Sequence, residues 1–201
     1  MREAKHPDHI NDVLTALKDL QQRHKFGKRY LLLGHGCGAT MAMQVAMSRN
    51  WTRSGPVMED SNIKPPIAIL GIDAIYDIPL LRSRNIGLQK YQPLIEGAFG
   101  NDEQVWAAAS PATWTKYAET WKEGRSITLV HSREDELVDW SQVEAMERCW
   151  SENQDWGSNR IEMKIQEIKG RHAEIWQKGV GMAGPIAEVI MSLQLDRNEV
   201  L

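Results

Sequence analysis

Cysteine is scarce, with only Cys37 and Cys149 in 201 residues. The polar opening Met1–Asp12 holds no apolar stretch of a signal peptide, so two reduced thiols in a cytoplasmic protein are expected rather than a bridge. Long apolar runs are also lacking. Nothing approaches the ~18 residues of a membrane-crossing helix, and no membrane partner is expected. Positive charge is not in excess: 24 Lys and Arg face 27 Asp and Glu, for a net charge of −3. That leaves no basic stripe for a phosphate backbone and argues against nucleic acid as a partner. Phe is reduced to two while Trp reaches eight, and core and inter-helix packing is the expected use of most of these rings. Internal repeats and low-complexity tracts are absent. The length suits one α/β domain over residues 1–201, large enough to bury a core without disulfides.

What the chain does have is a glycine-dense turn between two apolar stretches. Tyr30–Leu33 has strand length, Gly34–Gly38 is the turn, and the Ala/Met-rich segment to Met47 has helix propensity and no Pro. Two kinds of site use a strand, a tight turn and a helix in this way: the nucleophile elbow Gly-x-Ser-x-Gly and the dinucleotide fingerprint Gly-x-Gly-x-x-Gly/Ala. Gly34-His35-Gly36-Cys37-Gly38-Ala39 fits the second in full, and the first except at its nucleophile.

Elsewhere, His6–His24 carries Ile10, Val13, Leu14, Leu17 and Leu20 at helical spacing, and His6, His9 and His24 are expected to face solvent. Residues 51–66 end in Pro65-Pro66 and read as a surface connection. Ile67–Ile72 is a second buried strand, and Asp73–Gly100 mixes helical turns with breakers, as an excursion above a sheet would. Asn101 or Asp102 can cap a helix ending before Ser110-Pro111. Thr113–Glu123 reads as another helix and Ser126–His131 as a third strand. Asp139 caps a helix whose Val143, Met146, Cys149 and Trp150 share one face. Arg160–Lys169 alternates apolar and polar residues, which suits a strand near an edge. Gly170-Arg171-His172 is a turn, and Pro185–Leu195 is a closing helix.

Strands alternating with helices predict an open parallel sheet, in which chemistry sits beyond the carboxyl ends of the strands. There the Gly36 turn, Asp135 and His172 follow the first, third and fourth strands. Nucleophile turn, then acid, then His is the chain order of the α/β-hydrolase triad. The dinucleotide reading needs an acidic residue about 20 positions on, at the end of a second strand. Glu59-Asp60 lie at that distance, but Asn50–Met58 contains no apolar strand to present them, and Asp135 and His172 would be left without a role.

Gly34-His35-Gly36-Cys37-Gly38-Ala39-Thr40 resembles the Gly-His-Ser-Cys-Gly-Ala elbow of fungal kynurenine formamidases, the arylformamidases of tryptophan catabolism. Gly71–Pro79, Tyr91 to Gly100, Ala109-Ser110-Pro111, His131-Ser132-x-x-Asp135 and Gly170-Arg171-His172 resemble that family's segments in the same order. The resemblance implies an α/β-hydrolase-like parallel sheet flanked by helices and lacking the family's N-terminal strands. It also implies hydrolysis of N-formyl-L-kynurenine to L-kynurenine and formate, with a small aromatic formamide as substrate and no cofactor. Carried over, His172 is the base, Asp135 orients it, and the Cys37 backbone N–H is one oxyanion donor.

Two departures stand beside these matches. The family's nucleophilic Ser falls on Gly36, and its His-Gly-Gly-x-Trp oxyanion motif is absent from this sequence. An inactive or very slow chain is therefore expected, with a non-catalytic pseudoenzyme or ligand-binding remnant as the alternative. Cys37 is a poor substitute nucleophile, because His35 occupies a position that an elbow centred on it would need small. No His, Cys, Asp and Glu spacing resembles a metal site, and His35 and His131 read as packing or hydrogen-bonding groups. An unflanked Tyr30–Leu33 would be an apolar edge, through which a homodimer could form.

Overall fold

The computed structural model describes residues 4–58, 62–84, 91–153 and 161–195. Ile10, Leu14 and Leu17 are the buried stripe of α1 (Asp8–His24), as their spacing predicts. Then follow β1 (Leu31–His35) and α2 (Cys37–Met47), separated by Gly36 alone. The expected five-residue turn shrinks to one residue because strand and helix approach so closely. A Cβ on Gly34 would lie 2.4 Å from the carbonyl oxygen of Gly38, a contact only glycine avoids.

The surface connection expected from residue 51 onward is not featureless: β2 (Trp51–Thr52) and β3 (Gly55–Pro56) form a short antiparallel hairpin. Trp51 is buried there and meets the His6 ring edge-on at a centroid distance of 5.4 Å. His6 does not face solvent as expected. It is buried between Trp51 and Phe99, and burial, reinforced by nearby His9, drives its pKa down to about 4. Glu59 and Asp60, weighed above as ribose ligands, lie outside the described residues.

The remaining elements are β4 (Ala68–Ile72), α3 (Ile78–Arg84), α4 (Tyr91–Phe99), α5 (Glu103–Ala108), α6 (Tyr117–Thr120), β5 (Ser126–Ser132), α7 (Ser141–Glu152), β6 (Glu162–Ile168), α8 (His172–Lys178) and α9 (Ala183–Leu195). Asp102 caps α5, its carboxylate accepting from Gln104 N–H at 2.9 Å. The long helix expected over Thr113–Glu123 is reduced to α6. Tertiary contacts override local propensity there: the Thr120 hydroxyl donates to the Ala46 carbonyl at 2.8 Å, and Trp121 is wholly buried.

Four strands pair in parallel in the order β1-β4-β5-β6, among the described residues. Register pairs Gly34 with Gly71, Leu70 with Thr128, and Thr128 with Lys164. Alternation along the strands serves both faces. Leu32, Ile69, Ile127 and Leu129 pack with α1, α2 and α7, whereas Leu31, Leu70, Ile72 and Val130 pack with Ile175, Ile186 and Val189 of α8 and α9. A third apolar cluster, around Ile78, Tyr91, Ile95 and Trp106, supports the excursion between β4 and α6. The elbow helix is tied to that excursion by Gln44 Nε2, which donates to Ala109 O at 2.8 Å, and by the Thr40 hydroxyl, which donates to Ile75 O at 2.7 Å. The carboxyl ends of β1, β4, β5 and β6 thus open on one side, where Gly36, Asp73, Asp135 and His172 follow them.

Candidate active site

Gly36 takes φ +54° and ψ −125°, a conformation that residues with side chains rarely adopt and that sharp strand-to-helix elbows impose. Its N–H donates to Ile72 O at 2.9 Å, which anchors the turn to β4. A Cβ built on Gly36 would lie 3.2 Å from His172 Nε2 and 3.4 Å from Cε1. A side chain here would address the imidazole directly. Cys37 begins α2, where backbone N–H groups have no acceptor within the helix. Its thiol is exposed, yet protein packed around it pushes the pKa up from the ordinary 9.0, so the neutral thiol dominates near pH 7.

Asp135, in the loop after β5, and His172, at the start of α8, are 37 residues apart, and the structure brings them to 2.7 Å, Asp135 Oδ2 to His172 Nδ1. The other carboxylate oxygen, Oδ1, accepts from Leu137 N–H at 2.8 Å and Val138 N–H at 2.9 Å. Burial works to raise the pKa of this carboxyl, but the hydrogen bonds from His172 and the two amides outweigh it and hold the pKa below 3.8. For His172, burial favours the neutral ring. The hydrogen bond and charge of Asp135, with the charges of Asp73 and Glu136, win and raise its pKa above 6.5. The two shifts are those of one coupled pair and agree in sense.

His172 is held by its backbone as well. It is not in a turn, as expected, but is the first residue of α8, and its N–H donates to Glu136 Oε2 at 3.1 Å. Glu134 Oε2 accepts from Gly170 N–H at 3.1 Å, and the Ser132 hydroxyl donates to Gly170 O at 2.6 Å. The loop after β5 therefore grips the loop after β6 at three points around the Asp135–His172 contact.

Two neighbours of the site escape a reading of the sequence. Asp73, directly after β4, is fully buried 3.7 Å from His35 Nε2 and 3.7 Å from His131 Nδ1. Trp176, one turn into α8, is 67% exposed and stacks on His35 at 6.2 Å, and the His35 and His172 rings lie 4.4 Å apart. The strand-end rule that finds Gly36, Asp135 and His172 points equally to Asp73; Trp176 has no signal beyond its type. His131 Nε2–H donates to Val138 O at 2.8 Å, and the ring meets Trp140 edge-on. Donor atoms of His35, Asp73 and His172, and of Asp73, His131 and Asp135, each gather within 4.8 Å. These residues come from separate segments, so no sequence spacing announces the clusters.

No protein-family model matches the chain. It is 34% identical over 194 residues to a kynurenine formamidase-like hydrolase, fscH, of Fusarium equiseti, covering 96% of this chain and 62% of that protein. Kynurenine formamidase avaC of Aspergillus versicolor is 34% identical over 197 residues, covering 90% of this chain and 66% of that one. A kynurenine formamidase of Meyerozyma guilliermondii is 31% identical over 143 residues, 71% and 52% of the two chains. The chain spans about six tenths of the length of the first two relatives. Among solved structures, esterase B from Lactobacillus rhamnosis superposes with a TM-score of 0.71 at 12% identity, over 98% of this chain and 65% of that one. An acetyl ester-xyloside bifunctional hydrolase from Caldicellulosiruptor lactoaceticus gives 0.63 at 13% identity, over 98% and 69%. At such identities the structures speak for the fold and the sequences for the family: the chain is a homologue of the kynurenine formamidases, built on the α/β-hydrolase fold.

Proposed function

We propose that this chain hydrolyses a small aromatic formamide, N-formylkynurenine in the first instance, slowly and without an acyl-enzyme. The observation that carries this reading is His172, fixed at 2.7 Å by Asp135 with its other ring nitrogen aimed at the turn of Gly36. Gly36 leaves room for a water where a nucleophilic side chain would project. Nε2 takes a proton from that water as its oxygen bonds to the formyl carbon. The C–N bond then breaks, the proton passes to the departing aryl amine, and formate is released. Asp135 keeps Nδ1 protonated and stabilises the imidazolium. The Cys37 amide is the donor for the developing oxyanion.

Losing the nucleophile of such a triad costs about 10⁶ in turnover, roughly 8 kcal/mol of barrier. General-base action alone retains about 10²–10⁴ over the uncatalysed reaction. The same reading takes residues 1–201 as one domain of a cytoplasmic protein with no cofactor, able to pair with a second copy along β1. The test is hydrolysis of N-formylkynurenine by the unmodified chain and by His172→Ala. Slow turnover is expected, with no burst, no loss on treatment with a serine-directed phosphonate, and disappearance in His172→Ala. The bare Gly36 backbone also favours a second reading, a pseudoenzyme that binds an aromatic ligand beside Trp176. Saturable kynurenine binding with no turnover above background would select it.

A further inference from the structure

Asp73 is the most enclosed charged group in the site, and its backbone is unusual. It takes φ +47°, in the left-handed region that residues with a Cβ seldom enter, and no part of it reaches solvent. Oδ1 accepts the Ser132 N–H at 2.9 Å. Oδ2 has no hydrogen bond among the described residues, and neither do the two ring nitrogens nearest the carboxylate, His35 Nε2 and His131 Nδ1. A carboxylate withdrawn from water with one hydrogen bond is costly unless positive charge lies close by. A proton on a neighbouring imidazole would meet that cost.

The groups facing Asp73 can be named. His35 comes from the end of β1, His131 from β5, Asp135 from the following loop, His172 from α8 and the Tyr76 hydroxyl from the excursion. An Asp73 oxygen lies within 4.8 Å of a ring nitrogen of His172 and, in the second cluster, within 4.8 Å of an Asp135 oxygen. Two carboxylates that close repel each other, and a proton on an imidazole between them relieves both. His172 suits this best. It faces Asp135, Asp73 and Glu136, with His35 as the neighbouring base, and its side chain is the least enclosed of the three imidazoles at 17%, against 12% for His35 and 0% for His131.

We propose that Asp73 is a second acid of the site, a positioning residue that shares with Asp135 the stabilisation of protonated His172. This rests on the reading of His172 as the proton-transfer group. The consequence is a pair of acids with different jobs. Asp135 fixes the ring through Nδ1, while Asp73, held by the Ser132 N–H, adds charge within 4.8 Å of a ring nitrogen without a direct bond. The imidazolium formed as water is deprotonated is then held from two sides, and removing Asp135 alone leaves part of that support.

The test is a ¹⁵N NMR titration of the His172 ring in the full chain. In the unmodified protein the midpoint should lie above 6.5. Asp73→Asn should lower it by about one unit, the small end of what an opposite charge within reach contributes. Asp135→Asn should lower it further, and Asp73→Asn with Asp135→Asn should bring it to 6.5 or below. An unchanged His172 midpoint in Asp73→Asn, with the displacement falling on His35 or His131, overturns the proposal. Should Asp73→Asn fail to fold, the Asp73 carboxyl carbon is followed in the unmodified protein. It should shift at the His172 midpoint, and that step should vanish in His172→Ala; a step that tracks His35 or His131 instead also overturns it. Because these readouts need no turnover, a chain without formamidase activity would remove the proposed function, and the charge coupling of Asp73 to His172 would still be read independently of it.

Discussion

The two strands that carry the site are held very differently. β5 is paired on both sides and all seven of its residues are buried, whereas β1, among the described residues, is paired with β4 alone and buries only Gly34 of its five. Asp135 follows the firmly held strand, and Gly36 follows the edge strand. The proton-handling half of the site is accordingly rich in side-chain contacts, with Asp135, Glu134, Glu136 and Ser132 all engaged with the segment 170–172. The nucleophile half is backbone: a strained φ, one N–H to Ile72 O and a helix start. An elbow's geometry therefore persists without the side chain it exists to present. That geometry is imposed by the Gly34–Gly38 approach and by pairing with β4, neither of which uses a side chain at position 36.

The largest effect should come from restoring the weaker half. Gly36→Ser places its Cβ 3.2 Å from His172 Nε2, so the ring must give by a few tenths of an ångström, and the φ of +54° remains strained for serine. Against this, a complete nucleophile is worth about 10⁶ in turnover. The general-base route through water already recovers about 10²–10⁴ of that in the unmodified chain. Turnover of N-formylkynurenine is therefore expected to rise about 10²–10⁴-fold and to become sensitive to a phosphonate. A rise without inhibitor sensitivity would show that the introduced hydroxyl is not the attacking group.

The stronger half is sharpened by pH. In the proposed mechanism neutral His172 is the base, and its pKa is raised above 6.5, so turnover should climb with pH through a midpoint above that value. Stability runs the other way. Because the folded pKa of His172 is raised, its contribution is fully present below 6.5 and is lost as pH rises through the folded value. Because that of Asp135 is depressed, its contribution is present above 3.8 and is lost as pH falls through the folded value. The pair therefore stabilises most between those limits. Asp135→Asn should cost about 1.5–3 kcal/mol there, the worth of a charge-assisted hydrogen bond, and less at pH 9. Urea midpoints at pH 5.5 and 9 measure this; an equal loss at both would mean a packing effect.

Much of this is legible without any coordinates. Strand-length apolar runs place all four sheet strands to within two or three residues, because each is bounded by a glycine, a proline or a charged turn. Gly36, Asp135 and His172 stand out by position in the chain; Asp135 meets His172 at 2.7 Å, and the ring lies 3.2 Å from where a Cβ on Gly36 would stand, as parallel strand ends allow. The failures share one cause. His6, the hairpin 51–56 and the broken helix at 113–123 are decided by partners distant in sequence, Phe99, the His6 ring and Ala46. Asp73 escapes for another reason: a single acid after a strand carries no local mark of burial, and its importance is the three imidazoles that converge on it from β1, β5 and α8.

The smallest expected effect tests the edge itself. Leu33 is in register with Leu70, whose side chain packs with α8 and α9, yet Leu33 is 38% exposed, and Ile190 and Met191 of α9 are exposed as well. An edge strand with free backbone groups and an apolar side chain is a template for pairing with a second copy. Burying a whole Leu contributes about 1.5–3 kcal/mol, so covering the exposed fraction is worth roughly 1 kcal/mol per protomer. A two-fold pairing counts it twice. Leu33→Lys should therefore weaken self-association about 30-fold while changing the unfolding free energy by no more than about 0.5 kcal/mol, as surface substitutions do. Sedimentation velocity across a concentration series reads the first and urea unfolding the second. If the unmodified chain stays monomeric throughout, β1 is not a pairing edge, and its apolar side chains must be covered in some other way.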